Sequence, residues 1–418
     1  MTTAALLPAA IERRQRWQAR FEESILPPLV ALAIAAVVGD ILIIIFGQSP
    51  GEVYRQLLEG TWGNAYGFGQ VIYKATTLTF TGLAVALGIR AGLFNIGAEG
   101  QLASGGFAAA LVGLAMPAGT PAVIATLLCL LAAAAGGGVV GAVPGVLRAR
   151  FGASEVIVTI MLNFVVLALL NYFVAAHIHV EETLHTPEIR AGAVPRLTSV
   201  SPAFTGSAAN MTFLFALAAA AAVWWYLFRT RGGYELRAAG LQPDAAEYGG
   251  VRVGGVWARV MTFSGVLAGL GGVNYVLGYK HYYEEGFGTG SGFLGIAVAL
   301  VGRNHPVGVV IAALLFATLS QGGLAVNALV PKQMVDVLTA VVIIAVATAV
   351  PEVKRALLGV RRRAAGTGKH EPGTGNGEPG TVRAGVGTGE PGTTTAAQST
   401  MQAASSPGSS FPDPGSQP

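Results

Sequence analysis

One cysteine in 418 residues and a charged fraction of 11% are the scarcities that bound this protein. With Cys129 alone, the chain by itself cannot build a disulfide framework, a paired-thiol redox centre or a Cys-rich metal site. Soluble domains carry about 25% charged residues. A chain with less than half that share, 52% hydrophobic residues and a mean hydropathy of +0.57 reads as a polytopic membrane protein. Two motif-level absences narrow its chemistry. No GxxxxGK[ST] phosphate loop occurs, because the nearest Gly-Lys pair, Gly368 and Lys369, has Arg363 where the first glycine is needed. The chain is therefore not expected to hydrolyse ATP itself. No histidine falls inside an apolar run, which argues against an enzyme with a metal set or an imidazole base at membrane depth. The net charge of +4 and pI of about 9.2 do not point to nucleic acid, since the basic residues lie in short loops beside apolar runs, where they set topology.

A hydrocarbon core about 30 Å thick needs roughly 20 apolar residues at a rise of 1.5 Å each. On that criterion the sequence predicts an all-α fold of about ten transmembrane helices. They lie near 27–47, 69–89, 96–116, 121–147, 154–175, 209–228, 257–279, 290–302, 306–325 and 332–350. Residues 1–26 form a mixed-charge arm, read as cytoplasmic and leading into an uncleaved signal anchor. That orientation puts Arg90, Arg148, Arg150, Arg229, Arg231, Arg237, Arg252, Arg259, Arg303, Lys354, Arg355 and Arg361 to Arg363 inside, as the positive-inside rule requires. Two long polar loops follow, 176–208 outside and 229–256 inside. After Arg363 the composition turns to Gly, Thr, Pro and Ser, with EPGT at 371, 378 and 390, and 356–418 is expected to be a disordered cytoplasmic tail.

The stretch GLFNIGAEGQLASGGF (92–107) carries five glycines inside an expected span. A second stretch, GFGTGSGFLGIAVALVGR (286–303), has the same character and shares ALVG with it (Ala110 to Gly113, Ala299 to Gly302). In lipid, broken helices survive only inside protein or beside a wet cavity. Paired broken segments running in opposite directions point to a midplane transport site built on an inverted repeat. Glu99 is the sharpest residue there: it either faces the pathway or caps backbone amides at the break. Asn95, Gln101, Asn163 and Asn274 can donate to a polar solute or join helices. Phe94, Phe287 and Phe293 can stack on a planar ligand or pack as core. The loop residues His177, His179, Glu181, Glu182 and His185 are metal-capable types, but are read as a solvated loop. No metal or cofactor site is expected in the chain.

Within the inside loop, YELRAAGLQPDAAEYGGV (234–251) predicts two short helices, with Gly240 stopping the first and Pro243 in the first turn of the second. Together with GLFNIGAEGQ, ASEVIVTIMLN and GIAVALVGRNHPVGVV, this block resembles the permease subunit of bacterial ABC importers of the nucleoside and simple-sugar class, the kind associated with basic membrane lipoprotein receptors. The resemblance covers roughly residues 25 to 355, so 27–355 reads as the permease domain. It implies a ten-helix permease paired with a second one, expected to be a paralogue, two cytoplasmic ATPase subunits that hold ATP and magnesium, and an extracytoplasmic receptor. It also implies that 235–249 docks in the ATPase groove, through Glu235, Leu236, Arg237, Ala238, Gly240, Pro243, Ala246, Tyr248 and Gly249. The expected substrate is a nucleoside, and the pathway residues read from the sequence are Phe94, Asn95, Glu99, Gln101, Asn163 and Phe293. A permease for a sugar or a branched-chain amino acid is the alternative. A self-sufficient carrier using Asp40, Asp336 or Glu99 is a third reading.

Overall fold

In a lipid environment a backbone must satisfy its own amides, and runs rich in Ala, Leu and Val do so as helices. The computed structural model describes residues 26–345 apart from 118, 287, 332 and 335. The expected arm and tail, Phe287, Lys332 and the end of the last expected span lie outside the described residues. The described chain is all-α. Its helices are α1 (Leu26–Ile45), α2 (Pro50–Thr61), α3 (Ala65–Arg90), α4 (Ala98–Ala115), α5 (Ala122–Phe151), α6 (Glu155–Phe173), α7 (Thr212–Arg229), α8 (Arg231–Leu241), α9 (Pro243–Tyr248), α10 (Val253–Tyr275), α11 (Ser291–Val301), α12 (Pro306–Ala325) and α13 (Asp336–Ala345).

Six of these are long and apolar enough to cross a membrane, and α1 with α2, bent by 111°, makes a seventh if the pair counts as one span. Among the described residues, length and hydropathy therefore do not confirm the expected ten spans. Glu99, Gln101 and several glycines dilute α4, α11 is only 11 residues long, and α13 is short among the described residues. Helix α2 falls between expected spans. Its signal is a local one, Ser49 accepting from the Glu52 amide (3.4 Å), the Ser-x-x-Glu start of a capped helix.

Helices α3 and α10 form the buried centre, whereas most of α5, α6 and α7 is left exposed for lipid. The most extensive helix contact among the described residues is between α5 and α10. A Cβ on Gly137 would overlap the Gly265 carbonyl, and one on Gly265 would overlap the Gly137 carbonyl. Gly137, Gly141 and Gly145 on one helix and Gly265 and Gly269 on the other repeat every four residues, which keeps them on one face. Apolar side chains gain nothing by leaving lipid for each other, so such bare backbone contact is what holds membrane helices together.

The two ends of the bundle differ. One carries Arg90, Arg148, Arg237, Arg259 and Arg303 and is called here the basic face. At the other, residues 186–196 are strapped to the end of α10 and the chain after it. Thr186 N donates to Tyr283 O (2.8 Å), Ile189 N to His281 O (2.7 Å) and Val194 N to Leu277 O (3.0 Å). The histidines read as solvated are partly occupied, His185 stacking on Tyr282 and His177 lying against Tyr172 and Phe173.

Candidate functional site

Each glycine-rich stretch becomes half irregular chain and half helix. Residues 91–97 leave the basic face without helical structure and lead into α4, which runs to the opposite face. The second stretch comes down from the opposite face through Gly286, Gly288 and Gly290, all with φ between +64° and +84°, and leads into α11, which runs to the basic face. The two helices thus run in opposite directions, and their N-termini meet. Glu99 makes the junction: Oε1 accepts from Gly290 N (2.6 Å) and Oε2 from Gly292 N (2.6 Å). A Cβ on Gly292 would overlap the Glu99 backbone, so the close approach requires glycine there. Ser291 is held as well, its carbonyl accepting from Thr81 Oγ1 (3.1 Å).

The depth of this junction follows from helix geometry. The 11 residues of α11, at about 1.5 Å each, set its N-terminus about 16 Å from the basic face, near the middle of a hydrocarbon layer about 30 Å thick. Glu99 itself is only 4% exposed. Thr289 and Gly290 are exposed, as is Phe293 at 48%.

The amides behind this junction complete one another. Asn95 Nδ2 donates to Gln101 Oε1 (2.8 Å) and Ser264 Oγ (2.7 Å), and its Oδ1 accepts from Gly97 N (2.9 Å). Ser264 Oγ in turn donates to Ala84 O (2.6 Å), tying α10 to α3. Asn163 Oδ1 accepts from Gly100 N (2.9 Å) while its Nδ2 donates to Ile96 O (2.9 Å). These groups satisfy the backbone that the break between α3 and α4 leaves open, which is what a buried irregular segment demands. Phe94 is half-buried. Asn274, also singled out by sequence, joins α10 to α3 through Tyr73 O (2.9 Å) and Thr77 Oγ1 (2.8 Å).

On the basic face, Pro243 stands at the first turn of α9 as the sequence predicts, but α8 runs one residue past Gly240. Gly240 is needed for another reason: a Cβ there would overlap the Arg90 carbonyl, so α8 lies directly on the turn at 90–92. Leu236, Ala239 and Ala246 face inward, Arg237 and Ala238 are half-buried, and Pro243 and Gly249 are exposed. Leu241 and Tyr248 are 87% and 96% exposed, an apolar tip standing in water. Glu235 pins α8 to α10 by an ion pair with Arg259 (3.1 Å) and pairs within α8 with Arg231 (3.0 Å). The Arg259 hydrogen bond, with Arg231, holds its carboxyl below the usual glutamate range. A carboxyl depressed in this way keeps its contribution at neutral pH and loses it only as pH falls through that lowered value.

A bundle of glycine-broken half-helices beside a helical loop with an exposed apolar tip defines a membrane transport subunit. The chain belongs to the family described as branched-chain amino acid transport system / permease component, which matches residues 67–347. It is 38% identical to the guanosine ABC transporter permease protein NupP of Bacillus subtilis, over 78% of this chain and 93% of that one. It is 34% identical to the nucleoside ABC transporter permease protein NupB of Lactococcus lactis, over 77% and 90%. It is 32% identical to the glucose ABC transporter permease protein TsgB13 of Haloferax volcanii, over 77% and 87%. No solved structure matches the chain. It is a multi-pass membrane permease.

Proposed function

We propose that this permease forms the nucleoside pathway of an ATP-driven importer, with its basic face in the cytoplasm. The observation that carries this reading is the irregular backbone at 289–290, exposed at about mid-membrane depth. Backbone of that kind cannot face lipid and is tolerated only beside water or protein. A wet passage open on the flank of one chain needs a second permease to close it, a paralogue by the resemblance. Phe94 and Phe293 offer rings to a nucleobase, and Asn95, Glu99, Gln101 and Asn163 hold the wall behind them. ATP and magnesium belong to separate ATPase subunits that dock on α8 and α9 around Leu241 and Tyr248, and a receptor delivers solute at the opposite face.

Coupling has a contiguous route. Closure of the ATPase pair pushes α8, Gly240 moves the turn at 90–92, and the displacement passes along residues 93–97 to Glu99 and so to α11. The two arrangements differ in affinity for solute, and that difference does the work. Uptake of labelled guanosine into vesicles holding the permeases, ATPases and receptor should require ATP and stop with vanadate, and transport by the permeases alone would eliminate the importer. Kinship to a glucose permease makes glucose the competitor to include in that assay.

Glu235→Ala removes the pin between α8 and α10 without touching the pathway. Uptake is expected to fall about tenfold, the equivalent of one charge-assisted hydrogen bond, while ATPase turnover in the complex and membrane insertion persist. Uptake equal to the parent's would show that α8 is not the lever.

A further inference from the structure

Helix α10 does not stop at Tyr275. It passes into a π-helical turn, Val276–Lys280, at the face opposite the basic one. Such turns hold one residue more than an α-helical turn and gather at functional sites. The last carbonyls of a helix have no partner within it, and here the loop before α7 supplies donors. Arg196 Nη2 donates to Tyr279 O (2.6 Å), beside the bonds from the Val194 and Ile189 amides to Leu277 O and His281 O. The same guanidinium lies 5.6 Å from the centre of the Tyr279 ring. Arg196 is itself anchored at the foot of α7: it bridges Asn210, and the amides of Leu197 and Met211 donate to Ala209 O (2.8 Å) and Pro195 O (3.0 Å). A Cβ on Gly278 would overlap the Asn210 side chain, so the turn and the loop are in direct contact.

From this turn a column of rings leads inward. Tyr279 is 5.2 Å from Tyr73 of α3, and Tyr73 is 5.5 Å from Tyr275, edge-on with the planes at 76°. At these separations aromatic rings attract one another. The Tyr275 hydroxyl is 3.1 Å from Ser291 Oγ, and Ser291 stands between the two glycines whose amides bind Glu99. Tyr73 is buried, and close-packed side chains transmit a displacement because they have little room to absorb it. A movement of the turn at 276–280 therefore reaches the N-terminus of α11.

We propose that Arg196 is a positioning residue for transport: it sets the π-helical turn, and Tyr279, Tyr73 and Tyr275 carry that setting to Ser291 and the junction at Glu99. The inference deepens the importer reading and rests on it, because it gives a protein docked at the face opposite the basic one a route to the pathway separate from the route through α8. Arginine suits the task, since one guanidinium both donates to the carbonyl and lies over the ring.

The first arm of the test uses the full chain in nanodiscs, without partners, and follows hydrogen exchange of the Gly290 and Gly292 amides. Arg196→Gln and Tyr275→Phe should each speed it about tenfold, while exchange along the seam of α5 and α10 keeps the parent's rate. The double variant should be no faster than the faster single one, because both break the same connection. Arg196→Lys should lie between the parent and Arg196→Gln, and Arg190→Gln, exposed on the same loop, should match the parent. The second arm measures solute carried per ATP hydrolysed in the complete vesicle system, expected to fall about tenfold in Arg196→Gln with the half-saturating solute concentration unchanged. A parent without ATP-dependent uptake removes the importer reading and leaves the column to be decided by exchange. Exchange at the parent's rate in either single variant, effects that multiply in the double variant, or an unchanged yield per ATP in Arg196→Gln overturns the proposal.

Discussion

Glu99→Ala is expected to reduce nucleoside uptake about a hundredfold while the protein still inserts and purifies. The carboxylate accepts two short hydrogen bonds from the Gly290 and Gly292 amides, about 190 residues away in sequence. Hydrogen bonds to a charged acceptor are worth about 1.5–3 kcal/mol each, so losing both at the low end costs about 3 kcal/mol, or two decades in an equilibrium constant. That energy holds the N-terminus of α11 in register with α4. Without it α11 no longer follows the turn at 90–92, and the pathway stops responding to α8. Glu99→Gln should fall between parent and alanine, because its carbonyl oxygen keeps one bond while its amide presents a donor to a donor. Hydrogen exchange at residues 288–293 distinguishes anchoring from solute contact: anchoring predicts faster exchange in both variants without solute. Exchange as slow as in the parent, with uptake intact, would remove Glu99 from this role.

Gly137→Val should remove folded protein from detergent extracts. The obstacle to a side chain there is the Gly265 backbone carbonyl, and the reverse holds for Gly265. Overpacking in a core usually costs about 1–3 kcal/mol when side chains can shift. Here backbone faces backbone along the most extensive helix contact in the fold, so α5 and α10 must separate and the cost approaches the roughly 5–15 kcal/mol that holds a domain together. Size-exclusion profiles of a fluorescent fusion should show loss of the monodisperse peak for Gly137→Val and for Gly265→Val. Gly255→Ala, on α10 with only the Arg252 Cβ nearby at 3.9 Å, should behave as the parent or slightly better. A monodisperse Gly137→Val protein with an unchanged melting temperature would mean that the seam does not hold the helices.

The glycine seam also illustrates how much of the fold is legible. Its four-residue spacing is visible in the sequence, yet hydropathy counts glycine as a weak point in a span and so points away from it. Glu99 presents the opposite case. A carboxylate in an apolar run announces itself, but the groups it meets are backbone amides, which carry no side-chain signature. Gly240 reads locally as a helix stop, whereas the structure uses it for contact with Arg90 at the end of α3, far away in the chain. Asn95, Gln101 and Asn163 were identifiable as polar residues in a span, but only their placement shows that they complete the broken backbone.

The sequence by itself determined the class of protein, its all-helical, multi-pass character and the break at Pro243 between α8 and α9. Those depend on transfer from water to lipid and on local capping, which act over a few consecutive residues. Only the tertiary structure decided which glycines are contacts, that the N-termini of α4 and α11 meet at Glu99, and that Gly240 of α8 rests on the turn at 90–92. Each of these depends on which backbone or charge stands opposite across a gap of a few ångströms, a relation between residues far apart along the chain.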